Sequence, residues 1–215
     1  MPSVSSIRNI IFDLGGVLLE IDYDKTTEEF RKLGLKKPEK AFTKYRQAEL
    51  FQEFEKGNIS AASFINRLHK EIPHTSEAKL REAWCAMLGD MPNISLTILE
   101  SLREKGYRIF LLSNTNSIHK EAFEKHIRME HGAEKFFAPF ERIYYSHMMG
   151  MRKPDEIIFQ TVLTENNLKA EETLFIDDTE GHIAGALKVG IRGFHLKKMR
   201  DLPSLLREAG LQIEQ

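Results

Sequence analysis

The chain has 215 residues, and 31 Lys and Arg against 32 Asp and Glu leave a formal net charge of −1. Domains typically have roughly 100–200 residues, so this length predicts one core domain that carries a smaller insert. Because the charge offers no basic excess to neutralise a phosphate backbone, it argues against a nucleic-acid-binding protein. The single cysteine, Cys85, excludes an internal disulfide and any metal site built on a cysteine pair.

The sequence also lacks the signals of a membrane or secreted protein. No apolar run approaches the roughly 18 residues of a membrane span, and the first residues do not contain the long apolar core of a secretory signal. We therefore expect a soluble, cytoplasmic protein without a membrane partner. Its near-neutral charge does not identify a substrate, so the chemistry must come from motifs. The oligomeric state stays open.

Short apolar runs alternate with helical patterns along most of the chain. This alternation predicts an α/β fold, with a mostly parallel sheet that has helices on both faces. In chain order, the predicted elements are a strand at 10–12, a helix at 93–105, a strand at 109–112, a helix at 155–166, a strand at 174–176, a helix from 179 and a strand at 191–195.

Residues 23–92 depart from this alternation, because they give helical patterns only. We predict an inserted domain of about four helices over this stretch, and a core domain formed by residues 1–22 and 93–215. The aromatic residues of the insert fall at spacings typical of a core, and none stands out as a reader of a substrate group. The apolar positions that define the four patterns are Phe30 and Leu33; Phe42, Tyr45 and Phe54; Phe64 and Leu68; and Leu80, Trp84 and Leu88.

Polar residues follow the apolar strands at the points where packing does not require them. Asp13 follows the first strand, Ser113-Asn114 the second, and Asp177-Asp178 the third. In open α/β sheets the ligand crevice lies at the carboxyl ends of the strands, so these residues are expected to converge. A fourth segment places Lys153 just before a proline that precedes a helix.

The converging groups point to phosphate chemistry. Crowded carboxylates need a hard cation, and a cation with few protein ligands is most often Mg²⁺. A lysine beside them has a use when the substrate is itself an anion. A phosphoryl group, bridged by metal, lysine and backbone N–H groups, satisfies all of these side chains.

Four motifs occur in the chain in the order FDLGGV, LLSN, RKP and FIDD. With them the chain resembles the haloacid dehalogenase-like (HAD) superfamily over nearly its whole length. The resemblance implies a Rossmann-like parallel sheet core, with the insert as a four-helix cap domain. The stretch FDLGGVLLEID is similar to a subgroup that includes glucose-1-phosphate phosphatase-like members.

The resemblance implies a catalytic role for four of the polar residues. Asp13 would be the nucleophile that takes up the phosphoryl group as an aspartyl-phosphate. Ser113 and the backbone of Asn114 would hold the transferring oxygens, and Lys153 would offset the charge on the phosphoryl group and on Asp13. The alternative for each is structural, because Asp, Ser and Asn often cap turns and helices and most lysines are solvated.

The resemblance also implies a Mg²⁺ site. Asp178 would bind the ion together with Asp13 and the carbonyl oxygen of Gly15, while Asp177 would support the metal from the same turn. Of the two adjacent aspartates, Asp178 is expected to dominate. His182, on the following helix, is interpreted as a helix-surface residue.

Gly15 is a departure from the family pattern. Most phosphatases of this family have a second aspartate there, which protonates the leaving oxygen and later activates water. Loss of such a group typically costs about 10²–10⁴-fold in rate, whereas the backbone carbonyl for the metal remains. Glu20 or Asp22 could supply another acid, although Asp22 is more typical of a helix cap.

These observations predict a Mg²⁺-dependent phosphoester hydrolase that acts on a small phosphorylated metabolite, for example a sugar phosphate such as glucose 1-phosphate. Two alternatives stay open. One is a 2-haloacid dehalogenase, which attacks carbon and needs no Mg²⁺. The other is a non-catalytic protein that binds a phosphorylated ligand or a partner, and Gly15 is its main support.

Overall fold

The computed structural model describes residues 7–38 and 49–211. Within them, five parallel strands form one sheet in the order β3-β2-β1-β4-β5. This confirms the predicted α/β fold, including the strands that the apolar runs indicated. The strands are β1 (Asn9–Phe12), β2 (Arg108–Ser113), β3 (Arg142–Tyr145), β4 (Thr173–Asp177) and β5 (Arg192–His195).

Strand β3 was absent from the prediction. It lies at the edge of the sheet, pairs only with β2 among the described strands, and begins at the exposed Arg142. Its apolar run, Ile143-Tyr144-Tyr145, contains two tyrosines, which indicate a buried strand less clearly than the aliphatic and phenylalanine runs of the central strands.

Helices cover both faces of the sheet. Alternate residues of each strand point to opposite faces, so Ile10 and Phe12 belong to one apolar cluster and Ile11 to another. The core helices are α5 (Asn93–Glu104), α6 (Ser117–His131), α7 (Ala133–Phe137), α8 (Ser146–Met149), α9 (Glu156–Glu165), α10 (Glu180–Lys188) and α11 (Leu202–Glu208), with 3₁₀ turns at Ala170–Glu172 and Met199–Asp201.

The helices of the insert form a cap, and their hydrophobic cluster also includes Ile118 of helix α6. Phe64 is fully buried there and packs against Phe51, Phe54 and Trp84 at ring-centroid distances of 4.4–5.8 Å. The predicted positions Phe42 and Tyr45 lie outside the described residues, and the domain boundaries at 22/23 and 92/93 stay a prediction. The described cap helices are α1 (Tyr23–Lys32), α2 (Glu49–Glu55), α3 (Ala61–Glu71) and α4 (Glu77–Cys85).

Among the described residues, no helix is long and apolar enough to cross a bilayer.

The cap is held against the core where α2 ends. Ser146 Oγ lies 2.7 Å from the Glu55 carbonyl oxygen, and Ser146 Oγ also accepts the Thr115 N–H at 2.9 Å. Gly57, with a positive φ of 73°, passes so close to the core that a Cβ atom would lie 2.1 Å from the carbonyl oxygen of His147. The cap therefore makes a tight backbone contact with the core beside the sheet edge.

We expect Gly57→Ala to lower the free energy of unfolding by about 3 kcal/mol or more, because strain at positive φ adds to a backbone clash. Gly34→Ala is the matched control, because Gly34 also has a positive φ but a Cβ there would meet no atom within 4 Å. It should cost only about 1–2 kcal/mol. Urea unfolding of both variants measures the difference. Equal losses of unfolding free energy would show that the backbone at the cap–core contact can shift to accommodate the Cβ atom.

Candidate active site

The centre of the site is a lysine that is completely shielded from solvent. Lys153 Nζ lies 2.9 Å from Asp13 Oδ1 and 2.7 Å from Asp177 Oδ2, and the Lys153 side chain is 0% exposed. Strands β1 and β4 are parallel neighbours in which Phe12 pairs with Ile176, so the two aspartates that follow these residues stand side by side. The structure thus brings together three residues that lie far apart in the sequence.

The loop that carries Lys153 is fixed by the residue after β2. The Asn114 side-chain amide donates to the Lys153 carbonyl oxygen at 2.9 Å, and its oxygen accepts the Lys153 N–H at 2.9 Å. The Asn114 side chain therefore positions the lysine. Ser113, the last residue of β2, is 4% exposed and lines the cavity above Asp13.

Asp177 is surrounded by hydrogen-bond donors. Besides Lys153, it accepts the Thr179 N–H at 2.8 Å, and His182 Nδ1 lies 3.0 Å from each of its two oxygens. A ring nitrogen that faces both carboxylate oxygens must carry a proton, so His182 is a donor to Asp177. The interpretation of His182 as a helix-surface residue is wrong: its side chain is 15% exposed and faces the site.

The remaining acidic residue, Asp178, faces the cavity from the next position. It accepts the Thr179 hydroxyl at 3.0 Å, and it packs so closely against the β1 loop that a Cβ on Gly16 would lie 2.6 Å from its Oδ2. Gly16, with φ of 74°, has no side chain and leaves room for this carboxylate. Gly15 lines the same cavity, where a Cβ would lie 2.9 Å from Ile21 Cγ1.

The charges in this cluster do not balance. Burial raises the pKa of Asp13 to about 8; the Lys153 ammonium opposes this shift, whereas Asp177 and Asp178 reinforce it. Burial by itself would also raise the pKa of Asp177, but Lys153 and His182 hold that pKa below its usual value. Three carboxylates share one ammonium, so an additional positive charge would stabilise the ionised form of Asp13.

The oxygen-rich donor set fits a hard divalent cation. Ligand atoms of Asp13, Asp177 and His182 lie within 4.8 Å of one another. However, His182 and Lys153 both donate to Asp177, which occupies the oxygens of that carboxylate. Asp13 and Asp178, with the Gly15 backbone beside them, are therefore the better set for a cation in the cavity.

The cavity lies between the strand ends and the cap, and several of its residues were not predicted. Among them is an ion pair that joins the two domains, in which Arg152 Nη2 lies 3.0 Å and Nε 3.1 Å from Glu55 Oε2. Tyr23, which is 39% exposed, also lines the cavity, and desolvation of its hydroxyl together with the Asp178 carboxylate raises its pKa well above the usual value. Only Arg152, next to Lys153, carried a signal in the sequence.

Trp84 was expected to be cap core, and it also forms part of the cavity wall. Its indole stacks on the His119 ring with centroids 4.7 Å apart, and its carbonyl oxygen lies 2.9 Å from His119 Nε2. The indole N–H donates to Asn116 Oδ1 at 3.4 Å. Asn116 caps helix α6 by accepting the His119 N–H at 3.0 Å.

His119 is expected to make folding sensitive to acid. Burial lowers its pKa to about 4, against 6.5 for an unperturbed histidine. The neutral form is thus favoured in the fold, so its contribution is complete above pH 6.5 and is lost as the pH falls toward 4. Between about pH 7 and about pH 5, the wild type should lose about 2 kcal/mol more unfolding free energy than His119→Gln.

Chemical denaturation across this pH range measures the difference between the two proteins. Other histidines titrate in both proteins and cancel in the comparison. Parallel pH curves for the wild type and the variant would contradict a neutral, buried His119.

Comparisons with known proteins agree with this geometry. A model of the haloacid dehalogenase-like hydrolases matches residues 7–190. The D-ribitol-5-phosphate phosphatase of Bacteroides thetaiotaomicron is 33% identical over 200 residues, which cover 91% of this chain and 94% of that protein.

Solved structures extend the similarity to the whole fold. A HAD family enzyme of Bacteroides thetaiotaomicron, solved with magnesium and inorganic phosphate, has a TM-score of 0.84 at 34% identity, over 94% of this chain and 100% of that chain. A HAD-like family hydrolase from Porphyromonas gingivalis has a TM-score of 0.84 at 30% identity, over 96% of this chain and 100% of that chain. The chain belongs to the haloacid dehalogenase-like hydrolase family.

Proposed function

We propose that the protein is a Mg²⁺-dependent phosphatase that hydrolyses a small phosphorylated metabolite through an aspartyl-phosphate intermediate. The observation that carries this proposal is the position of Asp13. Its carboxylate lies 2.9 Å from the buried Lys153 ammonium, on the floor of a cavity that Ser113 and Asp178 also line. The related D-ribitol-5-phosphate phosphatase and the relative solved with magnesium and phosphate support the same reaction class.

Asp13 is the nucleophile in this mechanism. One carboxylate oxygen contacts Lys153, which leaves the other oxygen to attack phosphorus from the cavity side. The new O–P bond forms as the ester O–P bond breaks, and the leaving oxygen takes the electron pair of that bond and a proton from water. Water then hydrolyses the acyl phosphate, which releases inorganic phosphate and restores the carboxylate.

The surrounding residues stabilise the charge of the phosphoryl group. The Lys153 ammonium, fixed by Asp177 and by the Asn114 amide, is preorganised and needs no rearrangement during the reaction. The Ser113 hydroxyl and the Asn114 N–H are the donors for the phosphoryl oxygens. Removal of one such preorganised donor typically costs about 10²–10³ in kcat.

Asp13, Asp178 and the Gly15 carbonyl would hold the metal, and Asp177 serves mainly to position Lys153. When bound, Mg²⁺ neutralises charge on the phosphoryl oxygens and on Asp13. This assignment differs from the expectation that Asp177 supports the metal, because donors already occupy both Asp177 oxygens.

Because residue 15 is glycine, this position has no carboxylic acid to protonate the leaving oxygen. Ile21 occupies the adjacent space, since a Cβ on Gly15 would lie 2.9 Å from Ile21 Cγ1. The two nearby acidic residues do not replace it: Glu20 is exposed, and Asp22 caps helix α1 by accepting the Asp24 N–H at 3.0 Å. Esters whose leaving group departs readily, such as an anomeric sugar phosphate, are therefore favoured substrates.

For the substrate, we propose a sugar or polyol phosphate. Residues of both cap and core line the cavity, and the Glu55–Arg152 pair joins the two at its wall. Glucose 1-phosphate has the better leaving group, whereas D-ribitol 5-phosphate is the substrate named for a relative that is 33% identical. Steady-state assays on both compounds with Mg²⁺ decide between them.

Replacing the nucleophile should abolish turnover. We expect Asp13→Asn to reduce phosphate release from an aryl phosphate in Mg²⁺ by at least about 10³-fold, because the amide does not form the acyl phosphate. Asp22→Asn is the control, since Asp22 only caps helix α1. Phosphate release is followed colorimetrically.

Substantial activity in Asp13→Asn, or wild-type activity in excess chelator, would contradict this mechanism. A large loss in Asp22→Asn would instead identify Asp22 as the missing acid. Tight phosphate binding without turnover of any ester would favour the non-catalytic alternative.

The two adjacent aspartates should respond differently to substitution. Asp178→Asn should raise the Mg²⁺ concentration for half-maximal activity by about ten-fold or more, because it removes a charged ligand. Asp177→Asn should lower kcat with a smaller change in Mg²⁺ dependence, because it loosens Lys153. Mg²⁺ titrations of activity separate the two effects, and the reverse ranking would make Asp177 the principal ligand.

A further inference from the structure

Two polar side chains of the cavity wall have no part in the phosphoryl chemistry. Asn116 and His119 are only 2% and 8% exposed, and both line the cavity on the side of the cap. They lie three residues apart at the start of α6, a helix of 15 residues. Their hydrogen bonds define which atoms each one presents to a ligand.

The Asn116 amide presents its NH₂ group. Its oxygen accepts two hydrogen bonds, from the His119 N–H at 3.0 Å and from the Trp84 indole N–H at 3.4 Å. Because both partners are donors, the oxygen must face them. The Nδ2 group is therefore left as a donor.

The His119 ring presents an acceptor. Its Nε2 lies 2.9 Å from the Trp84 carbonyl oxygen, which accepts but does not donate. The proton of the neutral ring is thus on Nε2, and Nδ1 carries a lone pair.

Both atoms are accessible from the cavity. Within residues 7–38 and 49–211, neither Asn116 Nδ2 nor His119 Nδ1 has a hydrogen-bond partner. Yet in that same part of the chain no buried side-chain nitrogen or oxygen lacks a partner. The two atoms are consequently not buried against protein, and the space they face is the cavity that their residues line.

We propose that Asn116 and His119 form a hydroxyl-binding pair that selects substrates with a hydroxylated leaving group; this rests on the proposed phosphatase function. A hydroxyl group both accepts and donates, so it satisfies the Asn116 donor and the His119 acceptor together. An alkyl chain would leave both groups desolvated and without a partner.

The charges around the pair favour an uncharged leaving group. The Arg152 guanidinium is already paired with the Glu55 carboxylate at 3.0 Å. His119 is neutral at physiological pH because burial lowers its pKa to about 4. The cavity wall around the pair thus offers polar contacts without net positive charge for a second anionic group, which points to a sugar or polyol chain.

The test compares hydroxylated and alkyl esters in the same protein. We measure kcat/KM with Mg²⁺ for D-ribitol 5-phosphate and for glucose 1-phosphate, each divided by the value for n-pentyl phosphate. His119→Gln retains a donor for the Trp84 carbonyl but removes the acceptor at the Nδ1 position. Asn116→Asp retains the oxygen that accepts from Trp84 and His119 but removes the donor.

In each variant, the ratio for the preferred hydroxylated ester should fall about ten-fold, mainly through KM, because one hydrogen bond in the bound state is lost. His119→Asn, which keeps an acceptor near the Nδ1 position, should retain more of the ratio than His119→Gln. His131→Gln is the matched control at the opposite end of α6 and should leave the ratio unchanged.

A purely structural role would lower the activity on all three esters alike and leave the ratio unchanged, and this result would overturn the inference while the phosphatase function stands. Equal wild-type activity on hydroxylated and alkyl esters would overturn it as well. If the wild type hydrolyses none of the three, nor an aryl phosphate, the proposed function itself fails and the inference fails with it.

Discussion

The burial of one positive charge, on Lys153, constrains much of this structure. An ammonium group removed from water is stable only when anions and hydrogen-bond acceptors surround it. Two carboxylates do this here, and they come from adjacent positions on neighbouring parallel strands, because Phe12 pairs with Ile176 in the sheet. Two features therefore serve to stabilise the buried ammonium. Strands β1 and β4 are neighbours, which brings the two carboxylates together, and Asn114 anchors the loop that carries the lysine.

The same arrangement makes the site receptive to cations and to phosphate. Lys153 and His182 stabilise the ionised carboxylate of Asp177. Asp13 and Asp178 face the cavity, and the positive charge near them is too small to compensate both carboxylates. Because Gly16 has no side chain, the Asp178 carboxylate packs close to the β1 loop. A site of this kind stabilises a divalent cation and then an anion bound to it, which is the requirement of phosphoryl transfer.

The sequence predicted the charged centre well because its signals are local. A buried strand that ends in or is followed by an aspartate indicates both a sheet and an acidic group at its carboxyl edge, as residues 13 and 177 do. Other features depended on tertiary contacts. His182 lies at an ordinary helical spacing, and only the fold shows that it faces Asp177. In the edge strand Arg142–Tyr145, two of the three apolar residues are tyrosines, and the strand begins with an exposed arginine. His119 follows the second motif without a distinctive pattern, because its role depends on a tryptophan 35 residues away.

The residues proposed for phosphoryl transfer and the residues proposed for leaving-group recognition differ in their contacts with the cap. Asp13 and Asp177 lie at the carboxyl ends of neighbouring strands and Lys153 in the loop that Asn114 anchors, and Lys153 contacts both aspartates without a cap residue between them. Asn116 and His119 also lie in the core, but the cap residue Trp84 contacts both. Its indole N–H supports the Asn116 orientation that the His119 N–H sets, and its carbonyl oxygen defines the His119 tautomer. Loss of the Trp84 contacts would leave the imidazole without the acceptor that defines its tautomer, whereas the Asn116 oxygen would keep the His119 N–H. In the proposed hydroxyl-binding pair, the cap thus takes part in recognition of the leaving group through Trp84, and cap residues also line the cavity beside the phosphoryl site.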